Sequence, residues 1–462
     1  MNVAADIAPS VQTSAISPRL PIGVCLGFGV GTIGVSIMLN TVTAYFPAFM
    51  STVLGKSPEL AGYLMMISKL YDAVADIVIG TMSDRTRSRW GRRRPYLLLG
   101  AFVSAASFLM IFVPPTLSDT MTIVYMLAAL VLYSTGYSLF NVPYMSMPSE
   151  MTSSKYERSR LLSFRTVFVS IGQLLAIAVT ASLISSNGGG FHGYAVMASV
   201  MGLIIVTAMV LSFFGTAKAP TLAPVDHAVF AASSGQLRDV LRNRPFVMLM
   251  GAKIFQFLSF ASLATTALLF MLNVLRLGYY GQMQLAISQN IAVAASMPLW
   301  LWLERRIGKR NAYFIGIGVM SAASLSWLPA GRDVTTWGIL IRGLFSGLGS
   351  GGMILLSISM LSDTLAYDRE LTGRHREGLL SSIAAIVEKA AFAIGVGAVG
   401  VILRLAHYIP TRNGALVEQP ATVVAALTLC FAVLPVLLFV GNAVCIWFYD
   451  LGGVERRTTV AA

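Results

Sequence analysis

Along most of this 462-residue chain, long apolar stretches alternate with short polar segments. A helix of about 20 apolar residues, rising 1.5 Å per residue, crosses the roughly 30 Å hydrocarbon core of a bilayer. Twelve stretches of this kind are predicted, at 20–50, 59–82, 95–114, 121–147, 161–185, 193–215, 246–273, 283–303, 311–329, 336–361, 379–404 and 421–449. The longest connection, 216–245, falls between the sixth and the seventh and turns basic at "LRDVLRNRP". The chain is therefore expected to consist of a tail 1–19, a six-helix bundle 20–215, a central loop 216–245, a second six-helix bundle 246–449 and a tail 450–462. The fold class is an all-α membrane protein of twelve transmembrane helices in two pseudo-symmetric halves.

Composition agrees, with 56% hydrophobic and only 11% charged residues, against about 25% charged in soluble domains. A net charge of +13 would suit a nucleic-acid binder, but its placement does not. Loop 83–94 holds Arg85, Arg87, Arg89, Arg92, Arg93 and Arg94, and loop 304–310 holds Arg305, Arg306, Lys309 and Arg310. Loops 150–160, 218–244 and 363–377 are also basic, whereas the alternate loops near 56, 119, 189, 276, 332 and 412 carry at most one or two basic residues each. The positive-inside rule puts the basic loops and both termini in the cytoplasm. A bacterial-type inner membrane is the expected location, and no nucleic-acid partner is expected. "SDRTRSRWGRRRP" after the second span is echoed by "LERRIGKRN" after the second span of the other half. Two related halves suit a transporter that rocks about a central site.

Cys25, Cys430 and Cys445 lie in apolar stretches without ligand spacing, and the four histidines are scattered. No nucleophile–base pair, metal cluster or nucleotide loop is visible, so neither an enzyme nor an ATP-driven pump is expected, and no cofactor. No cleaved signal peptide is expected either.

Charges inside the apolar stretches are the exceptions. A charge at mid-membrane costs about 2.5–3.5 kcal/mol on insertion scales and needs a partner or a task. Asp72 and Asp76 stand at i and i+4, on one helix face, with Lys69 one turn earlier. Two carboxylates in a low dielectric repel each other, and a bound cation or proton relieves the repulsion. The alternative is a structural salt bridge with Lys69 or another buried base. Lys389 lies in the eleventh span, beside Glu388, which faces another direction. Ser138, Asn141 and Tyr144 lie in the fourth span, and Arg165 near the start of the fifth, where it can snorkel to the interface. Lys253, Arg342, Gln256 and Asn290 are expected to be structural.

Several segments occur in a telling order: "YDAVADIVIG" with "SRWGRRRP", "NVPYMSMPSEM" with "ERSRLLSFR", then "LSDTLAYDRELTGRHREGLLSSI" and "VEKAAFAIG". They resemble the major facilitator superfamily, and within it the glycoside-pentoside-hexuronide:cation symporters, the melibiose-permease-like branch. Animal lysolipid transporters of the same clan share much of the pattern. The resemblance implies a coupling-cation site at Asp72 and Asp76 for H+ or Na+, assisted by Ser138, with Lys389 able to neutralise the empty pair. It implies substrate contacts from Asn141, Tyr144, Arg165 and Lys389. For Lys389 the alternative is a fixed ion pair, and for the fourth-span residues ordinary interhelical packing. Asp84, Arg85, Gly91, Arg92, Arg93 and Arg94 resemble the cytoplasmic gate motif, with Asp368, Arg374 and Glu377 as its counterpart; alternatively the arginines only set topology.

The chain departs from the branch at four places. Ala75 stands where an asparagine helps to bind sodium, Ser36 and Asn141 stand where acidic sugar ligands occur, and Met145 replaces a tryptophan. The expected function is cation-coupled symport of a sugar, glycoside or uronide by alternating access, by a monomer, with coupling to protons favoured over sodium because of Ala75. The alternatives are transport of a lysolipid or other amphiphile on the same fold, and a non-transporting receptor or scaffold, which the buried charges disfavour.

Overall fold

The computed structural model describes residues 19–152, 154–219, 240, 243–373, 376–415 and 417–451. Twelve long helices account for nearly all of them, and among the described residues the only β pairing is an isolated bridge between Leu54 and Arg412. In chain order, α1 is Ile22–Ala48, running on through a π-helical turn Phe49–Val53. Next come α2 (Pro58–Arg85), α3 (Arg94–Phe112) and α4 (Asp119–Met151). α5 comprises Lys155–Leu174 and Thr180–Ser186, joined by a π-helical turn, and α6 is Phe191–Gly215. The second half holds α7 (Arg244–Asn273), α8 (Gly278–Ile307), α9 (Lys309–Leu325), α10 (Thr336–Thr372) and α11 (Glu377–Leu405). α12 comprises Ala421–Thr428 and Leu434–Trp447, again joined by a π-helical turn.

Local chemistry sets the helix starts. Ser57, Ser118, Ser154, Asn243 and Thr335 each accept a backbone N–H of the first turn, and Pro58 and Pro245 follow two of these caps. Several helices outrun their apolar stretches. α4 continues to Met151 through Pro143 and Pro148, α5 begins near 155, and α10 reaches Thr372. The apolar stretch measures only the hydrocarbon crossing, and polar turns extend the helix beyond it. Ten helices are individually long and apolar enough to span a membrane. The other two are α9, with 17 residues, and α2, which carries Lys69, Asp72 and Asp76.

The outer surface is apolar, as at Leu203, Phe214 and Trp447, which suits lipid contact. Inside, small residues let backbones meet. A Cβ on Gly27 of α1 would lie 2.6 Å from the Gly215 Cα of α6. The halves meet through α2 on α11, α1 on α7 and α5 on α8. The π turns free carbonyls for neighbouring helices of the same half: Ile177 O of α5 accepts from Tyr45 Oη of α1 at 2.6 Å, and Cys430 O of α12 accepts from Ser262 Oγ of α7 at 2.6 Å.

Among the described residues, hydrogen bonds and ion pairs between the halves occur only mid-bundle and at the end opposite the arginine loop 83–94. At that far end, Thr411, Asn413 and Gly414 donate their backbone N–H groups to Ser51, Val53 and Thr52 carbonyls at 2.8–2.9 Å. Asn413 Oδ1 accepts from the Phe191 N–H at 3.0 Å, and Arg404 pairs with Glu59 at 2.5 Å. The far end is thus shut by a short strap, 411–414, laid across the first half.

Candidate functional site

A cavity of about 500 Å³ lies mid-bundle and takes lining residues from both halves. Asp72 lies on its wall, and Asp76, one turn further along, shares the face that α2 turns toward α4 and α11. Ser138 Oγ of α4 is 2.6 Å from Asp76 Oδ1 and 3.1 Å from Asp72 Oδ1, so one hydroxyl proton serves either carboxylate. Lys389 Nζ, from the other half, donates to Asp72 Oδ2 at 2.8 Å and also to Asp76 Oδ2. Two carboxylates, one hydroxyl and one ammonium therefore form a single cluster across the interface between the halves. Ala75, buried between the aspartates, offers it no oxygen.

Lys69 does not join the cluster by an ion pair. Its Nζ lies 5.8 and 6.0 Å from the ring centroids of Tyr133 and Tyr137, a cation–π placement, and it lines the cavity. Lys253, expected to be structural, is buried on α7 and donates to Glu388 Oε1 at 2.6 Å. Glu388 itself lines the cavity. Spacing alone placed it on another face from Lys389, correctly, but could not show what that face meets.

The residues expected to contact substrate fare differently. Asp72 and Lys389 line the cavity, whereas Asn141, Tyr144 and Arg165 are not on its wall. Tyr144 is fully buried, donates to Phe28 O at 2.5 Å, bonds Thr32 Oγ1 at 2.7 Å, and stacks on Phe28 with centroids 4.3 Å apart. That is the packing alternative. Asn141 and Arg165 lie nearer the arginine-loop end than the wall residues of their own helices, Tyr137 and Gln173. Arg165 Nε is buried without a partner.

Five amides on the wall went unremarked or were assigned to structure: Asn40, Gln173, Gln282, Gln289 and Asn290. Asn40 and Asn290 donate Nδ2 to the carbonyl four residues back at 2.9 Å, which leaves their Oδ1 atoms to the cavity. Gln282 Oε1 is buried and unpartnered. Tyr137, Phe257, Phe260, Phe392 and Trp327 supply aromatic surface. Amides with spare hydrogen-bonding capacity beside aromatic faces suit a polyhydroxylated molecule, whose hydroxyls need donors and acceptors and whose C–H faces need apolar surface.

At the arginine-loop end the expected gate residues pair within each half. Arg93 Nη2 meets Asp84 at 2.5 Å, Arg93 Nη1 donates to Ser83 Oγ at 2.7 Å, and Arg93 Nε and Arg92 Nη2 meet Glu150 at 2.9 and 2.7 Å. Glu150, at the end of α4, was not anticipated. Arg94 donates to Phe213 O at 2.9 Å, and Gly91 has φ +90°, which favours glycine. In the second half Lys309 is 2.5 Å from Asp363 and 3.7 Å from Glu304, the counterpart of the Asp84–Arg93–Glu150 group. Asp368 takes Arg376 through both oxygens at 2.6 and 2.8 Å, and Glu377 lies 3.6 Å from Arg369. Arg374 falls outside the described residues. No ion pair among the described residues links the two groups across the halves.

Comparison with known proteins bears on the whole chain. Residues 27–453 match the family described as MFS/sugar transport protein. The isoprimeverose transporter of Lactiplantibacillus pentosus is 23% identical, over 98% of this chain and 94% of its own length. The glucuronide carrier protein homolog of Escherichia coli K12 is 25% identical over 92% of each. The sodium-dependent lysophosphatidylcholine symporter 1-A of Danio rerio is 24% identical over 82% of this chain and 77% of its own. Among solved structures, a bacterial homolog of the lysosomal transporter Spinster, in an inward-facing and occupied conformation, superposes with TM-score 0.65 at 13% identity, covering 95% of this chain and 97% of its own. That likeness concerns the fold.

Proposed function

The chain belongs to the MFS/sugar transport protein family, and from that premise we propose that it is a secondary transporter coupling entry of a glycoside, sugar or uronide to a cation. The observation that carries the reading is the cluster of Asp72, Asp76, Ser138 and Lys389, which reaches the cavity wall through Asp72 and Lys389. Lys389 meets two carboxylates and neutralises one. The surplus negative charge is the place for H+ or Na+, and relieving it loosens the hold of Lys389 on α2, the helix that α11 packs against across the halves. A bundle closed at one end by the 411–414 strap, with no ion pair between the halves at the other among the described residues, fits one state of an alternating-access cycle. The bundles 20–215 and 246–449 are the moving bodies. The basic loops and both termini lie on the cytoplasmic side, and the strap faces outward. The Asp84–Arg93–Glu150 group braces the cytoplasmic end of the first half and the Asp368–Arg376 group that of the second. Asn141 and Arg165, one layer below the wall, meet substrate on its way inward.

The relatives named above include two carbohydrate carriers and a lysolipid symporter. The amides and aromatics of the wall favour the former. The apolar residues Leu39, Ile177 and Phe260 leave the lysolipid reading open to test. Proteoliposomes offered isoprimeverose, a methyl glucuronide or lysophosphatidylcholine should accumulate a carbohydrate under an imposed cation gradient. Asp72→Asn and Asp76→Asn should each abolish accumulation while exchange of internal for external substrate persists. Normal accumulation by both variants would make the cluster structural and end this account.

A further inference from the structure

Glu388 stands apart from the coupling cluster. Its Oε1 accepts from buried Lys253 at 2.6 Å, while Oε2 takes no hydrogen bond from any described residue and the side chain is 29% exposed on the cavity wall. Each member of the pair has an aromatic wall residue one turn along its helix: Phe257 after Lys253 on α7, and Phe392 after Glu388 on α11. The first half supplies no unpaired carboxylate to this wall. Asp72 is held by Lys389 and Ser138, and Ser36 and Asn141 carry no charge.

We propose that Glu388, oriented by Lys253, is the acidic ligand for adjacent hydroxyls of the transported glycoside. The inference rests on the carbohydrate reading above and places the main substrate contact in the second half. A carboxylate with one oxygen fixed by an ammonium presents the other at a set angle, and a hydroxyl donating to it makes a charge-assisted hydrogen bond. Phe257 and Phe392 then cover C–H faces of the ring, and Gln289 and Asn290 of α8 reach its remaining hydroxyls. Glu388 is also the neighbour of Lys389. Substrate pulling on one residue of α11 acts on a rigid helix whose next residue holds Asp72 and Asp76, so substrate and cation sites are joined through one peptide unit.

A mere counter-ion to Lys253 would show the same ion pair, so the test separates the two roles. Glu388→Gln alone strands the buried Lys253 charge and can fail to fold. The paired variant Lys253→Met with Glu388→Gln removes both charges, and the exchange Lys253→Glu with Glu388→Lys keeps the pair while moving the carboxylate to α7. Initial rates of isoprimeverose and methyl glucuronide uptake are measured against concentration in proteoliposomes, with thermal unfolding as the fold control. The paired variant should unfold near the wild-type temperature. Its KM should rise about 10- to 100-fold, the loss of one or two hydrogen bonds to a charged acceptor, while uptake at saturating substrate still responds to the cation gradient. The exchanged pair should also show a raised KM. Wild-type KM in the paired variant would reduce Glu388 to a counter-ion and overturn the proposal, with carbohydrate transport standing. Accumulation of lysophosphatidylcholine and of neither carbohydrate by the wild type would overturn both.

Discussion

Replacing Gly414 with alanine should open the end of the bundle that the strap holds shut. Gly414 has φ +74°, and its N–H donates to Thr52 O at 2.9 Å. A Cβ there would meet Gly189 O at 2.9 Å and Gly190 Cα at 3.2 Å, backbone atoms of the opposite half that cannot swing aside. The left-handed conformation costs a non-glycine residue about 1–2 kcal/mol, and relieving the close contacts by bending a bond angle by about 7° adds about 1 kcal/mol. Both costs fall on the docked strap and vanish once it lifts. A penalty of about 2–3 kcal/mol corresponds to about a 30- to 150-fold shift toward the state open at the far end. The assay is a single cysteine at Ala264, on the cavity wall, in a background without Cys25, Cys430 and Cys445. A membrane-impermeant thiol reagent added from the far side should label it faster by that factor. An unchanged labelling rate in a folded Gly414→Ala protein would show that the strap does not gate access.

Lys389→Met should leave two carboxylates sharing Ser138, lower the unfolding temperature and abolish accumulation. Removing one partner of a buried pair costs about 3–5 kcal/mol, and the partial exposure of Lys389 and Asp76, 28% and 27%, puts the effect at or below the low end. Adding Asp76→Asn to Lys389→Met should restore most of the lost stability; a further loss would mean that the carboxylates do not repel. For topology, cysteines replacing Ser88 and Asn187 should be labelled from opposite faces of the membrane, Ser88 from the cytoplasm. Labelling of Ser88 from outside in intact cells would invert the assignment.

What was legible in the sequence was what membrane burial makes expensive. Asp72, Asp76 and Lys389 stand out because a charge in an apolar span demands a reason, and the structure brings them together with Ser138. The neutral amides Asn40, Gln173, Gln282 and Gln289 carry a smaller penalty and make no contrast with their surroundings, so the polar wall was missed; inward-facing amides within spans were its only signal. The Lys253–Glu388 pair joins helices 135 residues apart, a proximity that no spacing rule reports. Glu150 was overlooked because its partners Arg92 and Arg93 lie two helices away in the chain. Tyr144 lay in a motif-rich stretch, yet its hydroxyl is committed to Phe28 and Thr32. The π turns in α5 and α12 lack a proline at the first and have one only just after the second, so helix period gave no warning of them. Helix ends at Met151 and Thr372 overran the apolar stretches because polar residues continue a helix as well as apolar ones do.

The central claim is that the Asp72–Asp76–Ser138–Lys389 cluster binds the cation that drives transport. A sodium ion needs several oxygens at once to replace its hydration shell, and the cluster offers two carboxylates and one hydroxyl, with Ala75 contributing none. A proton needs one carboxylate of suitable affinity. The most direct measurement is carbohydrate uptake into proteoliposomes driven first by an imposed pH gradient without sodium, then by a sodium gradient at fixed pH, for the wild type, Asp76→Asn and Ala75→Asn. The account predicts accumulation by the wild type under the pH gradient, none by Asp76→Asn under either, and a gain of sodium response in Ala75→Asn. Undiminished gradient-driven accumulation by Asp76→Asn would contradict it.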